Sequence, residues 1–435
     1  MSDCAARYRC IDLFAGIGGI RAGFEVAAQD GELETVFVSE FNDYAVKTYA
    51  ANFNTPFKPI NGLESLRMKG HETVVYGDIT RIDDEHLKLI PAFDICFAGF
   101  PCQAFSLAGK RMGLEDSYKG MARGTLFQDL IRVCEAKKPK IVFCENVKNL
   151  LHHDGGNTFR VIAGAFDDAG YKVYEQVLNS KFFDVPQNRE RIYIVAIRKD
   201  LDPGSFIFPE GEMTTRTIAD ILEKDPVDAK YYLSERYLKT LEKHRERHEK
   251  KGNGFGYQVK KDGDLASTLS CGGMGRERNL IRDARPHQMG IVGSKHSPIN
   301  DKDIRCMTPR EWARLQGFND SFILPVADVH LYKQFGNTVT VTVIEAIARE
   351  VLAVLDRAYE PRRHHARVKQ GIIEQLEKGP MTHGELVDDI GSLFISTTSS
   401  KKASQQISNC LQELKREGKV AVSGNTSAAI WTLRH

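Results

Sequence analysis

Through the first two hundred residues, short apolar runs alternate with polar turns and amphipathic stretches, which is how strands and helices in alternation are written. The runs predict strands at CIDLFAG (10–16), TVFVSE (35–40), TVVYGDI (73–79), FDICFAGF (93–100), KIVFCENV (140–147), YKVYEQVL (171–178) and RIYIVAIR (191–198). Helical stretches lie between them, Asp43 to Asn52 and Leu126 to Ala136 among them. Several strands are apolar at consecutive positions, as expected when helices cover both faces of a parallel sheet. A doubly wound α/β domain is the prediction.

From about Leu201 that rhythm breaks. Residues 236–285 hold thirteen Lys and Arg against seven Asp and Glu, with a glycine-rich stretch, SCGGMGRERNL, at 270–280. An irregular, loop-bearing domain with a basic side is expected, or more plainly a solvated helix (239–252) beside a loop. Regular patterning returns at TPREWARLQGF (308–318), a helix entered through Pro309, and a last helix is expected over Val339 to Arg357. PRRHH (361–365) reads as a linker. Beyond it, apolar positions at Ile372, Ile373 and Leu376, at Leu386, Val387 and Ile390, and at Ile407, Leu411 and Leu414 predict three short helices. Thr382 and Glu385 stand at capping-box spacing, and Val420 and Val422 with Ile430 to Leu433 predict a hairpin around Gly424 and Asn425. That layout is winged-helix-like; a small helical appendage for packing or dimerisation is the alternative.

Length and composition narrow the class. The 435 residues are about three times a typical domain of roughly 150, and 42% hydrophobic with 27% charged residues is ordinary globular composition. Lys and Arg number 60 against 58 Asp and Glu, so any nucleic-acid partner must be met by local charge. Nine cysteines with no CxxC pair disfavour a disulfide framework and a zinc cluster, and no metal site is expected. Without a membrane-spanning run or a signal-peptide pattern, a cytoplasmic protein with reduced thiols is expected.

Candidate chemistry gathers at predicted strand ends. DLFAGIGG (12–19) places glycines where a strand turns into a helix, letting backbone approach a ligand. Glu40 and Asp78 end the next two strands; acids there suit a nucleoside's hydroxyls, although helix capping would also use them. The fourth strand runs into GFPCQAFS, putting Cys102 in a polar turn at the ligand edge, where a thiolate can act as nucleophile. Cys96, Cys134 and Cys144 lie in apolar stretches and read as core filler. Glu145, in ENV, ends the fifth strand beside Cys102. The glycine spacing departs from GxGxxG, which argues against a nicotinamide dehydrogenase.

In this order, DLFAGIGGIRAGFE, Glu40, GDI, GFPCQAFS, GTLF (124–127), ENV (145–147), QNRER (187–191), TPREWARLQGF and QFGNTV (334–339) make the chain resemble the cytosine-C5 DNA methyltransferase family over about residues 10–355. The resemblance implies a Rossmann-like, S-adenosyl-L-methionine-dependent methyltransferase domain (1–200 and 304–358), a smaller target recognition domain (201–303) and, outside the resemblance, the winged-helix-like appendage (365–435). It implies that Phe14, Gly16, Ile17, Gly19, Glu40, Asp78, Ile79, Pro101, Leu126, Asn337 and Thr338 form the cofactor pocket. Cys102 carries over as nucleophile, Glu145 as the group engaging the cytosine ring nitrogen, and Arg189 and Arg191 as contacts in the catalytic pocket. Thr268 and Leu269 stand at the recognition domain's Thr-Leu landmark, and the last helix is expected to fold back beside the first strand. Arg276 and Arg278 are the candidates for reading guanine in the major groove.

The implied substrate is a cytosine flipped out of double-stranded DNA, since C6 is unreachable inside a stacked duplex. The expected partners are duplex DNA and a cognate restriction endonuclease acting on the same site; no membrane partner is expected, and the chain is expected to be monomeric. An RNA cytosine-C5 methyltransferase of the same fold is the alternative, disfavoured by the missing Cys-Phe-Thr signature.

Overall fold

The structure, a computed structural model, describes residues 8–28, 32–53, 65–67, 74–100, 117–118, 121–122, 126–252, 256–272, 275–285, 291–292, 297–390, 400–424 and 429–434. Its contacts divide the chain into two compact units, one through Leu352 and the other from Ala353 on.

An eight-stranded sheet organises the first unit. In chain order its strands are β1 (Tyr8–Leu13), β2 (Leu33–Ser39), β3 (Ser65–Arg67), β4 (Val74–Tyr76), β5 (Ile95–Ala98), β6 (Ile141–Val147), β7 (Tyr171–Asn179) and β8 (Glu190–Arg198), and across the sheet they run β3-β4-β2-β1-β5-β6-β8-β7. Helices α1 (Gly19–Ala27), α2 (Asp43–Asn52), α3 (Asp84–Leu89), α4 (Leu126–Lys137) and α5 (Asn157–Asp168) connect the strands. On one face, sheet residues such as Ile11, Cys96, Val142 and Ile194 pack with Leu87, Leu130, Val133 and Phe166 of the helices. On the other, the Phe24 ring lies tilted at 4.4 Å from the Phe97 ring and edge-on at 5.3 Å from Phe143. With both faces buried, continuous apolar strands are what the sheet requires.

The expected parallel pairing holds for the central strands and fails at both edges. β1 is parallel to β2 and β5, and β5 to β6. β8, however, lies antiparallel between β6 and β7, and β3 is antiparallel to β4. A parallel crossover needs a dozen or more residues and usually a helix, but only residues 180–189 separate β7 from β8. The reversal has a chemical consequence: the first residues of β8 reach the sheet edge where β6 ends.

Residues 201–303 belong to the same compact unit as the sheet. They contribute α6 (Glu235–Glu249), single-turn helices and very short strands around a small core of Leu233, Leu238, Leu241, Tyr257, Leu280 and Ile304. The chain then returns through α7 (Pro309–Leu315) and α8 (Asp328–Asn337). Thr308 and Glu311 cap α7 reciprocally, the Glu311 carboxylate accepting the Thr308 N–H at 2.7 Å.

The last predicted helix is longer than expected. α9 (Val341–Lys378) runs without interruption through PRRHH, so the expected linker at 361–365 is helix. Proline at 361 removes one backbone donor, a cost of roughly 3 kcal/mol in a helix interior. Burial of Val368, Ile372 and Leu376 and the His365 ion pair to Glu413 (2.8 Å) act against that cost. Within the first unit, Gly23 of α1 allows this helix to approach: a methyl there would lie 2.5 Å from Ile344 Cβ.

The second unit continues with a strand at Met381–Thr382, α10 (His383–Ile390), α11 (Ser400–Arg416) and a hairpin of Val420–Ser423 with Ile430–Leu433. The short strand joins the hairpin to make three strands, giving the order helix, strand, helix, helix, strand, strand. Leu386, Ile407, Leu411, Leu414, Val420 and Trp431 fill its core. The Thr382–Glu385 capping box is present, with the Glu385 carboxylate accepting the Thr382 N–H at 2.7 Å.

Candidate active site

The turn from β1 into α1 is built by conformations that side chains resist. Gly16 and Gly18 have φ of 56° and 81°, and Phe14, with a side chain, is held at 54°. The Gly16 N–H donates to Glu40 Oε2 at 2.8 Å while Oε1 accepts from the Asn42 N–H at 2.8 Å, so one carboxylate ties the β1 turn to the end of β2. Burial raises the Glu40 pKa from its ordinary value, against the pull of those backbone donors. A methyl built at Gly16 or Gly77 would meet no described atom within 4 Å.

Other expected pocket residues lie at strand and helix ends of the same unit. Asp78 caps a single-turn helix (Ile79–Arg81), accepting from the Thr80 N–H at 3.0 Å and its hydroxyl at 2.9 Å. Ile79 and Ile17 are buried, and Leu126 is half-buried at the start of α4. Asn337 ends α8 and Thr338 follows it. A methyl at Gly19 would fall 2.4 Å from Thr338 Oγ1, so glycine is what lets that turn close on α1. Phe41, directly after Glu40, is an aromatic left 54% exposed.

The reversed β8 assembles a second cluster at the same sheet edge. Tyr193 pairs with Glu145 across β6 and β8, and Arg191 with Val147. The Arg191 Nε lies 3.1 Å from Glu145 Oε1, and both side chains are nearly buried. Burial raises the Glu145 pKa, and Arg191 and then Arg189 oppose it. A carboxyl so placed is suited to sharing a proton with a ring nitrogen.

Arg189 is 2% exposed and points to backbone. Its Nη1 donates to the Leu269 carbonyl at 2.8 Å, and its Nη2 donates to the carbonyls of Thr338 at 2.7 Å and Gly336 at 3.4 Å. Gln187 extends the tie: its amide donates to the Leu315 carbonyl at 2.9 Å and its oxygen accepts the Leu269 N–H at 3.0 Å. Gly336 completes it, since a methyl there would stand 2.5 Å from the Cys271 nitrogen. The QNRER segment, the Thr-Leu landmark and the QFGNTV turn thus share one buried polar joint.

Of the expected recognition residues, Leu269 is fully buried in core, and the Thr268 hydroxyl donates to the Asn188 carbonyl at 2.7 Å. Arg276 and Arg278 are exposed, Arg276 lying 5.2 Å from the Tyr332 ring. Pro101 and Cys102 lie outside the described residues. The strand leading to them ends at Ala98, paired with Cys144 of β6, and the Phe100 carbonyl accepts from Asn146 Nδ2 at 3.3 Å. Cys96, Cys134 and Cys144 are buried, and burial pushes their thiols well above the ordinary range.

A family model described as C-5 cytosine-specific DNA methylase matches residues 8–353. The chain belongs to that family. Among its curated relatives, the Type II methyltransferase M.HpaII of Haemophilus parainfluenzae is 46% identical over 357 residues, covering 81% of this chain and 92% of the relative. M1.ScrFI, a Type II methyltransferase of Lactococcus lactis subsp. cremoris, is 40% identical over 359 residues, covering 81% and 80%. A DNA-cytosine methyltransferase of Escherichia coli K12 is 36% identical over 394 residues, covering 83% and 80%. Among solved structures, the Entamoeba histolytica methyltransferase EhMeth superposes with a TM-score of 0.59 at 19% identity, covering 81% of this chain and 98% of its own. The Schizosaccharomyces pombe Dnmt2 methyltransferase does so at 0.57 and 18%, covering 80% and 99%. These two likenesses establish the methyltransferase fold. The family match ends where the first unit of this methylase ends, leaving the tail outside it. Among its described residues, no helix is long and apolar enough to cross a membrane.

Proposed function

We propose that this methylase transfers a methyl group from S-adenosyl-L-methionine to C5 of a cytosine flipped out of duplex DNA, through a covalent bond to Cys102, as the modifying partner of a restriction endonuclease. The observation that carries the reading is the buried Glu145–Arg191 pair at the sheet edge that also holds Glu40 and the glycine turn. The strand ends fit the cofactor: an anchored carboxylate at Glu40, no described atom within 4 Å of a methyl built at Gly16 or Gly77, and apolar side chains at Phe14, Phe41 and Leu126. When bound, S-adenosyl-L-methionine supplies an electrophilic methyl group. Glu40 and Asp78 would hold its ribose and adenine, with Asn337 and Thr338 closing the amino-acid end.

Cytosine C5 is a weak nucleophile until a thiolate adds at C6, and Cys102 is assigned that addition. Electron density then moves toward N3, where protonated Glu145 donates, with Arg191 fixing the carboxyl's orientation. Removal of the C5 proton and loss of the Cys102 sulfur restore the aromatic ring. Residues 201–303 are assigned target recognition, with Arg276 and Arg278 exposed for a guanine edge. The relatives' names, Type II and DNA-cytosine methyltransferase, favour DNA over RNA and a restriction-modification setting.

DNA with 5-fluorocytosine at the methylated position tests the chemistry, because fluorine does not leave as the proton does. A denaturation-resistant complex should form only with S-adenosyl-L-methionine present and should map to Cys102. Cys102→Ser should bind cofactor and methylate nothing. Trapping at another cysteine, or methylation by Cys102→Ser, overturns the mechanism.

A further inference from the structure

The second unit lies outside the family match, and its charge is arranged asymmetrically. Along α11, Ala403, Ile407, Cys410, Leu411 and Leu414 face the core. The opposite side exposes Lys402, Gln405, Asn409, Gln412 and Arg416, at spacings of three and four that form one continuous stripe. The stripe carries two cations, three amides and no acid.

The acids at the end of α11 border the stripe, Glu413 standing four residues on from Asn409 and three before Arg416, and are engaged by side chains of α9. Glu413 is held by His365 at 2.8 Å and Lys369 at 3.1 Å, both on α9, and Lys369 also reaches Glu417 at 2.5 Å. His383 of α10 occupies the remaining flank, 2.9 Å from Ser408 Oγ and 3.2 Å from the Ser404 carbonyl. Among the described residues, the other exposed acids of the unit sit on other elements, Glu360, Glu374 and Glu377 on α9 and Glu385, Asp388 and Asp389 on α10. Gln405 Nε2 donates to Asn409 Oδ1 at 3.1 Å, holding the two amides side by side on the solvent face.

We propose that this stripe of α11 is a second duplex-DNA surface, which enters a major groove outside the methylation site and reads adenine through Gln405 and Asn409. A helix fits the major groove, and a glutamine or asparagine amide matches the adenine N6 and N7 pair. Lys402 and Arg416, at the two ends of the stripe, supply the phosphate contacts that set position. The proposal rests on the preceding reading only for DNA as the substrate; it requires nothing of Cys102 or of the cofactor.

The test uses the full chain as wild type and as Lys402→Ala/Gln405→Ala/Asn409→Ala/Arg416→Ala, all exposed positions at which alanine favours helix. Binding is measured over a range of salt on a long duplex carrying the methylated site and on a short duplex that just covers it. On the long duplex the variant should bind at least about tenfold more weakly, the loss expected of a single amide–adenine pair. Its log–log salt slope should fall by about 2, close to 0.9 for each lost cation. On the short duplex, affinity and methylation rate should match wild type. Equal binding of the long duplex, or equal weakening on both, overturns the proposal. So does a variant that changes only sedimentation mass, which would make the stripe a contact between copies of the chain. Failure of wild type to methylate any DNA would instead overturn the proposed function, because the binding comparison involves no methyl transfer.

Discussion

Replacing Arg189 by methionine should leave the protein folded but raise KM for both DNA and cofactor. Two opposing terms decide the stability. Methionine of similar length strands the carbonyls of Leu269 and Thr338, now bonded at 2.8 and 2.7 Å, at roughly 1–3 kcal/mol each. The 3.4 Å contact to Gly336 is too long to add much. Against this, burial draws the guanidinium pKa down from 12.5 to about 9, so the native state carries a charge penalty on the order of 5 kcal/mol at about 1.4 kcal/mol per unit. Nε, buried and without a hydrogen-bond partner among the described residues, is part of that same penalty. The two terms nearly cancel, and the net change should stay within about 2 kcal/mol, or a Tm shift of roughly 4 °C or less. Function has no such compensation, because the same guanidinium positions the Thr-Leu landmark and the turn that closes on α1. Steady-state kinetics should show KM rising for both ligands, about tenfold for each 1.4 kcal/mol of lost positioning, and Arg189→Lys should be intermediate because an ammonium lacks the fork. Calorimetry showing a collapse in Tm, or a KM change confined to one ligand, would refute the reasoning.

Three further outcomes are expected. Gly336→Ala sets a methyl 2.5 Å from the Cys271 nitrogen and 2.7 Å from the Ser270 carbonyl carbon, backbone that must move, so about 1–3 kcal/mol of stability should be lost with KM for DNA rising; unchanged melting would mean the joint is looser than described. The pH profile should report Glu145: if its protonated form donates to N3, kcat should fall as pH rises through its raised pKa. Arg191→Met, which removes the main charge opposing that rise, should move the falling limb to higher pH, and a shift to lower pH would exclude Glu145 as the donor. Arg278→Ala should relax methylation at one position of the target by about 1–3 kcal/mol of discrimination, read by sequencing methylated sites; uniform weakening on all sequences would make it a phosphate contact.

The sequence by itself determined most strands of the central sheet and the capped start of the helix at Pro309, because these are written locally. Consecutive apolar residues specify a strand buried on both faces, as in Ile141–Val147. The glycines at 16 and 18 specify a turn of positive φ, and Thr308 with Pro309 specifies a capped helix. What sequence could not show was strand direction, because an apolar run is identical read parallel or antiparallel. Only pairing in the folded sheet turned residues 190–198 around and set Arg191 against Glu145. The proline at 361 misled for a related reason: its local cost is real, but burial of Val368, Ile372 and Leu376 by residues remote in sequence acts against it. Arg189 is the clearest division. Its place in QNRER marked it for the catalytic pocket, yet its three carbonyl partners lie 80 to 149 residues away along the chain. A charged side chain buried in protein goes where donors and acceptors can be satisfied together, and that geometry exists only after the chain has folded.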